Sequence, residues 1–128
     1  MSRKKVLSVG QCGFDNSNIS RMLQPFRVDI VTASSLDEAK EFVLNNHFEL
    51  VLVNRVFDAT GESGLTLIQE LMDKKCSVPL MLVSNYEDAQ AAALKLGAVP
   101  GFGKNTLNAP ATKALLAEHL QSNEELES

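Results

Sequence analysis

The chain lacks the residues that mark several classes of protein. It has no tryptophan, only two cysteines and no excess of basic residues, since 12 Lys and Arg stand against 16 Asp and Glu for a net charge of −4. A surface that binds nucleic-acid phosphates usually needs an excess of Lys and Arg, so we expect no nucleic-acid binding by this domain. Cys12 and Cys76 have neither metal-site spacing nor a CxxC motif, which favours two reduced thiols.

Long apolar runs are also absent. No stretch is long enough to span a bilayer, and too few apolar residues precede Gly10 to form the apolar region of a signal peptide. We therefore expect a cytoplasmic protein that makes no contact with a membrane. With 128 residues, 45% of them apolar, the chain suits one domain, 1–128. Its core is expected over about 5–120, followed by an acidic tail at 121–128.

Strand and helix patterns alternate along the chain. Short apolar runs predict strands over 5–10, 28–33, 49–54, 78–84 and 99–104. Helices are predicted over 16–26, 34–46, 65–75, 86–97 and 108–121. The run Leu50–Val53 is apolar without alternation, which indicates burial on both faces, as in parallel sheets. This order predicts an α/β fold of flavodoxin-like type: a doubly wound, five-stranded parallel sheet with strand order 2-1-3-4-5 and helices on both faces.

Several helix ends carry local signals. Ser35 and Glu38 fit a capping box, in which each side chain accepts a hydrogen bond from the other's backbone N–H. Gly97 suits the left-handed residue that closes a helix, and Pro110 suits a first helical turn.

The candidate site lies where the predicted strands end, because ligands of such sheets bind beyond the carboxyl ends of the strands. Gly10 and Gln11 stand at the end of the first strand, and Asn54, Ser84 and Lys104 end the third, fourth and fifth. A hydroxyl and an ammonium group brought together there are able to bind a phosphoryl group.

The chain resembles the receiver domains of bacterial two-component response regulators from about Lys5 to Leu120. The segment "VPLMLVSNYED" resembles the fourth strand of that family with its Ser or Thr. The segment "LGAVPGFGK" resembles the Gly-Ala turn and the fifth-strand Lys, and "GLTLIQEL" resembles the helix after a glycine-containing loop.

The resemblance implies a site that has lost its carboxylates. In the family, an acid pair after the first strand and an Asp at the end of the third hold Mg²⁺, and that Asp accepts a phosphoryl group. Gly10 and Gln11 stand at the acid pair and Asn54 at the phosphoacceptor, whereas Ser84 and Lys104 are retained. An amide cannot form an acyl phosphate, and Gly10 has no side chain to bind a cation. The resemblance therefore implies no catalytic residue and no cofactor, with Mg²⁺ binding lost or weak.

Two other family positions differ, since Gly101 replaces an aromatic residue and Asn105 replaces a proline. Phe102 is expected to lie in the core. An unpaired buried ammonium is costly, so we expect Lys104 to turn to solvent, to Asp15 or to Asp58.

Ser84 and Asn54 also have ordinary structural roles open to them. We expect the Ser84 hydroxyl to bond to backbone and the Asn54 amide to brace the neighbouring loop.

Two functions remain open. The first is a two-component signalling module that is not phosphorylated and contacts a protein partner such as a histidine kinase, a regulator or an output domain, with a homodimer as a further option. The resemblance implies contact through the fourth helix, fifth strand and fifth helix, where four alanines (Ala89, Ala91, Ala92 and Ala93) would form a smooth surface. The alternative is a module that binds a nucleotide or other small anion in the crevice, with the turn Gly10–Gly13 facing it. We expect no enzyme, since the strand ends carry no general base, nucleophile or metal constellation.

Overall fold

Strands and helices alternate along the chain, as the apolar pattern predicts. The computed structural model describes residues 3–120, so the acidic tail at 121–128 lies outside the described residues. The strands are β1 (Lys5–Val9), β2 (Asp29–Ala33), β3 (Leu50–Asn54), β4 (Leu80–Val83) and β5 (Val99–Phe102). The helices are α1 (Gly13–Leu23), α2 (Leu36–Asn45), α3 (Gly64–Asp73), α4 (Glu87–Leu96) and α5 (Pro110–Leu120). Short 3₁₀ turns cover Gln24–Phe26 and Lys104–Thr106.

The five strands form one sheet in the order β2-β1-β3-β4-β5, which confirms the predicted topology. All neighbouring strands are parallel. Val9, the last residue of β1, pairs with Ala33 on one side and with Val53 on the other. The carboxyl ends of β1 and β3 therefore lie side by side, and the residues that follow them meet at one edge of the sheet.

Helices cover both faces of the sheet. On one face, side chains of β1, β3 and β4 pack with α2, α3 and α4, through residues such as Ala39, Ile68 and Ala93. On the other face, the alternate side chains of the same strands pack with α1 and α5, through residues such as Ile19 and Leu116. All five residues of β3 are buried, as expected for a central strand covered on both sides. Phe102 belongs to the second cluster, which confirms its predicted place in the core.

The hydrogen bonds at the starts of α1 and α2 differ from the sequence prediction. Helix α1 begins at Gly13, three residues before the predicted start, because Cys12 has an extended backbone and its Sγ accepts a hydrogen bond from Asp15 N at 3.4 Å. At α2, Ser35 Oγ accepts from Glu38 N at 3.1 Å, as a capping box requires. The Glu38 carboxylate, however, accepts from Ser34 N at 2.6 Å, so the reciprocal bond reaches one residue further back than predicted.

The alanines of α4 do not form one exposed surface. Ala89 and Ala93 are buried against the sheet, while Ala91 is exposed and Ala92 is half-buried. The helical period therefore divides the predicted alanine surface between the core and solvent. Over residues 3–120, no helix has the length and apolarity needed to cross a bilayer.

Gly97 closes α4 in the left-handed conformation, with φ of 112°, as the sequence predicts. A β-carbon there would lie 2.6 Å from Met72 Cε. We predict that Gly97→Ala lowers the free energy of unfolding by about 1–2 kcal/mol, because a side chain is disfavoured at this φ. Urea unfolding measures the change.

The matched control is Gly13→Ala. Gly13 is the first residue of α1, and a β-carbon there would have no neighbour within 4 Å. Gly13→Ala is expected to leave stability unchanged or slightly raised, so equal losses in the two variants would contradict the explanation.

Candidate functional site

Three of the five predicted site residues line one cavity. Asn54, Ser84 and Lys104 meet in a crevice of about 270 Å³ at the carboxyl ends of β3, β4 and β5. The other lining residues are Arg55, Val56, Val83, Asn85 and Tyr86. Gly10 and Gln11 do not line this crevice, although Gly10 joins it through a hydrogen bond with Asn54.

The buried Asn54 amide is oriented by two backbone carbonyl groups. Its Nδ2 donates to Gly10 O at 2.9 Å and to Val56 O at 2.7 Å. Both neighbours are acceptors, so only the nitrogen end of the amide suits this place. The amide thus ties the end of β1 to the loop after β3, which confirms that Asn54 braces the loop. A carboxylate in the same position would direct an oxygen at two other oxygens.

Phe57 fills the space beside Gly10. Gly10 has φ of 76°, and a β-carbon there would lie 2.6 Å from Phe57 Cγ. Gly10 O also accepts from Asp58 N at 2.9 Å, which holds the two segments together. Phe57 is only 1% exposed. A side chain at position 10 would therefore have to displace a buried aromatic ring.

The loop after β3 folds back on itself and holds Phe57 in place. Val56 and Ser63 form an antiparallel bridge, and Phe57 N donates to Glu62 O at 2.8 Å. The Glu62 carboxylate accepts from Leu36 N at 2.9 Å, which anchors this small hairpin to the start of α2. Phe57 was not predicted as a site residue, since an aromatic residue in a polar loop gives no sign of where it packs.

Gln11 is buried, with 8% of its surface exposed. Within residues 3–120, neither its Nε2 nor its Oε1 has a hydrogen-bond partner. Its backbone oxygen accepts from Asn16 Nδ2 at 3.4 Å, and Asn16 Oδ1 accepts from the buried Ser8 Oγ at 2.7 Å. A buried amide needs hydrogen-bond partners, since one left without them costs about 1–3 kcal/mol.

Ser84 and Lys104 have partners of the predicted kinds. Ser84 Oγ accepts from Tyr86 N at 3.1 Å, which confirms its bond to backbone. Lys104 Nζ lies 2.7 Å from Asp15 Oδ2, which confirms Asp15 as one of its expected partners. Both side chains of this ion pair keep some exposure, 34% for Lys104 and 20% for Asp15. Solvent therefore reaches the pair and weakens it.

Two contacts made by residues in and around the crevice were not predicted from the sequence. The Arg55 guanidinium lies over the Tyr86 ring, 4.6 Å from its centroid, in a cation–π contact. Gln90 Nε2 lies within hydrogen-bonding distance of the carbonyl oxygens of Leu82, Ser84 and Phe102. A β-carbon on Gly101 would lie 2.8 Å from Gln90 Oε1, so this glycine has no room for the aromatic residue of the resembled family.

Acidic ligands for a cation are scarce at the crevice. Over residues 3–120, no three side chains of His, Cys, Asp or Glu are grouped so as to hold a metal ion. The Asp15 carboxylate, which reaches the crevice residue Lys104, is paired with it.

Solved structures with this arrangement of strands and helices include receiver domains of response regulators. The signal receiver domain of a putative LuxO repressor protein from Vibrio parahaemolyticus matches with a TM-score of 0.79 and 18% identity, covering 98% of this chain and 95% of that one. The BeF3-activated N-terminal receiver domain of RstA from Klebsiella pneumoniae matches with a TM-score of 0.76 and 24% identity, covering 93% and 100%.

A response regulator protein from Burkholderia pseudomallei, solved with a phosphorylated aspartic acid, a calcium ion and citrate, matches with a TM-score of 0.70 and 23% identity, covering 97% of this chain and 71% of that one. No protein-family model matches the sequence, and no curated protein matches it either. The chain therefore has the fold of response regulator receiver domains.

The Asn54 contacts make a prediction about stability. We predict that Asn54→Asp lowers the free energy of unfolding at pH 7 by about 1–3 kcal/mol, because a carboxylate oxygen would face two carbonyl oxygens. The charged form is disfavoured in the folded state, so the deficit shrinks as the carboxyl takes up a proton in acid. Urea unfolding of the variant and the wild type at pH 7 and at about pH 4 measures both effects.

Asn85→Asp is the matched control in the same crevice. Asn85 is exposed, and its Oδ1 accepts from Asn105 N at 3.1 Å, a bond that a carboxylate keeps. Its stability should stay close to that of the wild type, and a loss as large as that of Asn54→Asp would refute the role given to the amide nitrogen.

Proposed function

We propose that the chain is a receiver-like signalling module of the two-component type that is not phosphorylated and acts through contact with a protein partner. The observation that carries this proposal is the Asn54 amide nitrogen, which donates to both Gly10 O and Val56 O. Position 54 corresponds to the phosphoacceptor aspartate of the receiver domains that the chain resembles. In this chain it holds an amide, which is hydrogen-bonded to the two carbonyl groups.

The chemistry of phosphorylation supports this reading. Forming an acyl phosphate requires a carboxylate nucleophile, and charge neutralisation by Mg²⁺ requires oxygen ligands around the ion. Asn54 supplies no carboxylate, and Phe57 occupies the space that a side chain at Gly10 would need. The side-chain oxygen of Gln11 is buried. These residues do not fit a magnesium site, and the proposal includes no cofactor and no enzymatic step.

Contact with a protein is the way in which we propose that the module acts. Two large apolar side chains stand in solvent on or beside α4, with Tyr86 59% exposed and Leu94 47% exposed. Aromatic residues such as Tyr86 are enriched in protein interfaces. The partner is a histidine kinase, a regulator or an output domain, or a second copy of this chain. Cys12 and Cys76 are free thiols, which suits a reducing cytoplasm.

Binding of a small anion is the second candidate. The turn Gly10–Gly13 is a poor place for the anion, because Gly10 N donates to Ala33 O at 2.8 Å and Asp15 N to Cys12 Sγ at 3.4 Å. The crevice itself is more suitable, since its lining includes the cations Arg55 and Lys104 and no carboxylate.

The absence of phosphorylation is directly testable. Incubation with acetyl phosphate and Mg²⁺ should leave the mass of the intact protein unchanged, because no carboxylate stands at position 54. Asn54→Asp should also remain unlabelled, since Gly10 and Gln11 still supply no ligands for the cation. A stoichiometric phosphoryl adduct on the wild type would refute the proposal, and Mg²⁺-dependent labelling of Asn54→Asp would refute the account of the pocket.

The proposed contact with a protein partner is testable by substituting one exposed leucine at a time with glutamate. Leu94 on α4 and Leu44 on α2 have similar exposures of 47% and 52%. We predict that Leu94→Glu reduces capture of a protein partner in a pull-down from the source cells at least about tenfold, as expected when an interface anchor is lost. Leu44→Glu should leave capture unchanged. Equal capture by both variants would place the contact elsewhere.

A further inference from the structure

A second cavity adjoins the crevice. It has a volume of about 490 Å³ and lies between α1 and the segment that joins β5 to α5. Asn18 and Arg21 line it from α1, and Asn105, Thr106 and Asn108 line it from the opposite side. Lys104 lines both cavities, so the two lie next to each other, and we refer to them together as the two lobes of the cleft.

The charge of this cleft is opposite to that of the chain. The protein has a net charge of −4, yet the residues that line the two lobes include three basic side chains and no acidic one. Arg21 and Arg55 have no carboxylate within 4.0 Å in the part of the chain that the structure describes. Asp15 reaches Lys104 at the boundary between the lobes. The cleft therefore has a local excess of positive charge.

The polar groups around these cations suit a ligand that carries hydrogen-bonding groups and an aromatic ring in addition to its negative charge. Amide groups of Asn18, Asn105 and Asn108 supply both donors and acceptors in the second lobe. In the first lobe, Tyr86 has one ring face under Arg55 and is still 59% exposed. An aromatic base can stack on such a ring, as bases do on the tyrosines of nucleic-acid-binding proteins.

We propose that this two-lobed cleft binds a nucleotide carrying two or three phosphate groups. The phosphates lie between Arg21 and Lys104, and the base lies at Tyr86. The second lobe, of about 490 Å³, lies within the range of volumes at which proteins bind small ligands, and the first, of about 270 Å³, lies just below it. This inference deepens the second candidate function and is independent of the protein contact proposed above.

The Asp15 carboxylate competes with a bound phosphate group for the ammonium group of Lys104. Lys104 can pair with Asp15 or with a phosphate group that spans the boundary, and its charge-assisted bonds go to one or the other. The ion pair is partly exposed, so its exchange for a phosphate leaves no buried charge unpaired. Removing the Asp15 charge should therefore strengthen binding, whereas removing a cation should weaken it.

The experiment is isothermal titration of the folded protein with ADP, GDP, pyrophosphate and adenosine at low salt. We expect ADP or GDP to bind more tightly than pyrophosphate, and adenosine not to bind. Arg21→Met and Lys104→Met should each weaken nucleotide binding about tenfold or more, the size expected for a charge-assisted bond. Asp15→Asn should tighten it, and Tyr86→Leu should weaken nucleotides while leaving pyrophosphate unchanged.

Lys95→Met is the matched control, because Lys95 is an exposed lysine of α4 that lines neither lobe. It makes the same change of charge and should bind as the wild type. The proposal is overturned if no phosphate compound binds, if Arg21→Met and Lys104→Met bind as the wild type, or if Lys95→Met weakens binding equally. An unchanged affinity in Asp15→Asn refutes the exchange at Lys104. A negative result in this titration does not bear on the proposed protein contact, because the pull-down with Leu94→Glu tests that contact separately.

Discussion

The hydrogen bonds of one buried amide determine the character of this site. Asn54 Nδ2 donates to a carbonyl at the end of β1 and to another in the loop after β3. Carbonyl oxygens that converge in this way need a positive partner, and a cation or a hydrogen-bond donor can supply it. Because the amide supplies two hydrogens, the end of the sheet is satisfied without an ion. The neutral residue is thus an integral part of the packing around it.

Around this amide, the edge of the sheet is divided into a closed part and an open part. On the closed part, Phe57 packs on Gly10, and the hairpin after β3 anchors the ring. On the open part, Ser84 and Lys104 line the crevice, and Lys104 also lines the adjacent cavity that Arg21 lines. Gly10, Gln11 and Asn54 bring no carboxylate to either part, and among the basic residues that line the open part only Lys104 is paired with a carboxylate within residues 3–120, that of Asp15. This imbalance is the physical basis of the proposed anion site.

The sequence predicts much of this arrangement because some signals are local. The period of the apolar residues predicts the elements and the strand order, and the strand order predicts that Asn54, Ser84 and Lys104 meet. The partner of Lys104 was one of the three expected alternatives, solvent, Asp15 or Asp58, because an unpaired buried ammonium is costly. The role of Cys12 as the N-cap of α1 was not predicted, because cysteine is not among the usual capping residues. Phe57 and Gln90 were missed for another reason: their roles depend on contacts between segments far apart in the chain.

The sequence alone determined the alternation of strands and helices and the absence of carboxylates at positions 10, 11 and 54, because both are properties of residue type and order. Only the tertiary structure decided that the amide nitrogen of Asn54 faces two carbonyl groups and that an aromatic ring takes the space beside Gly10. It alone also placed Arg21 near Lys104 and divided the α4 alanines between core and surface. These features depend on the distances between atoms of different elements, and those distances exist only once the sheet has formed and its helices have packed on it.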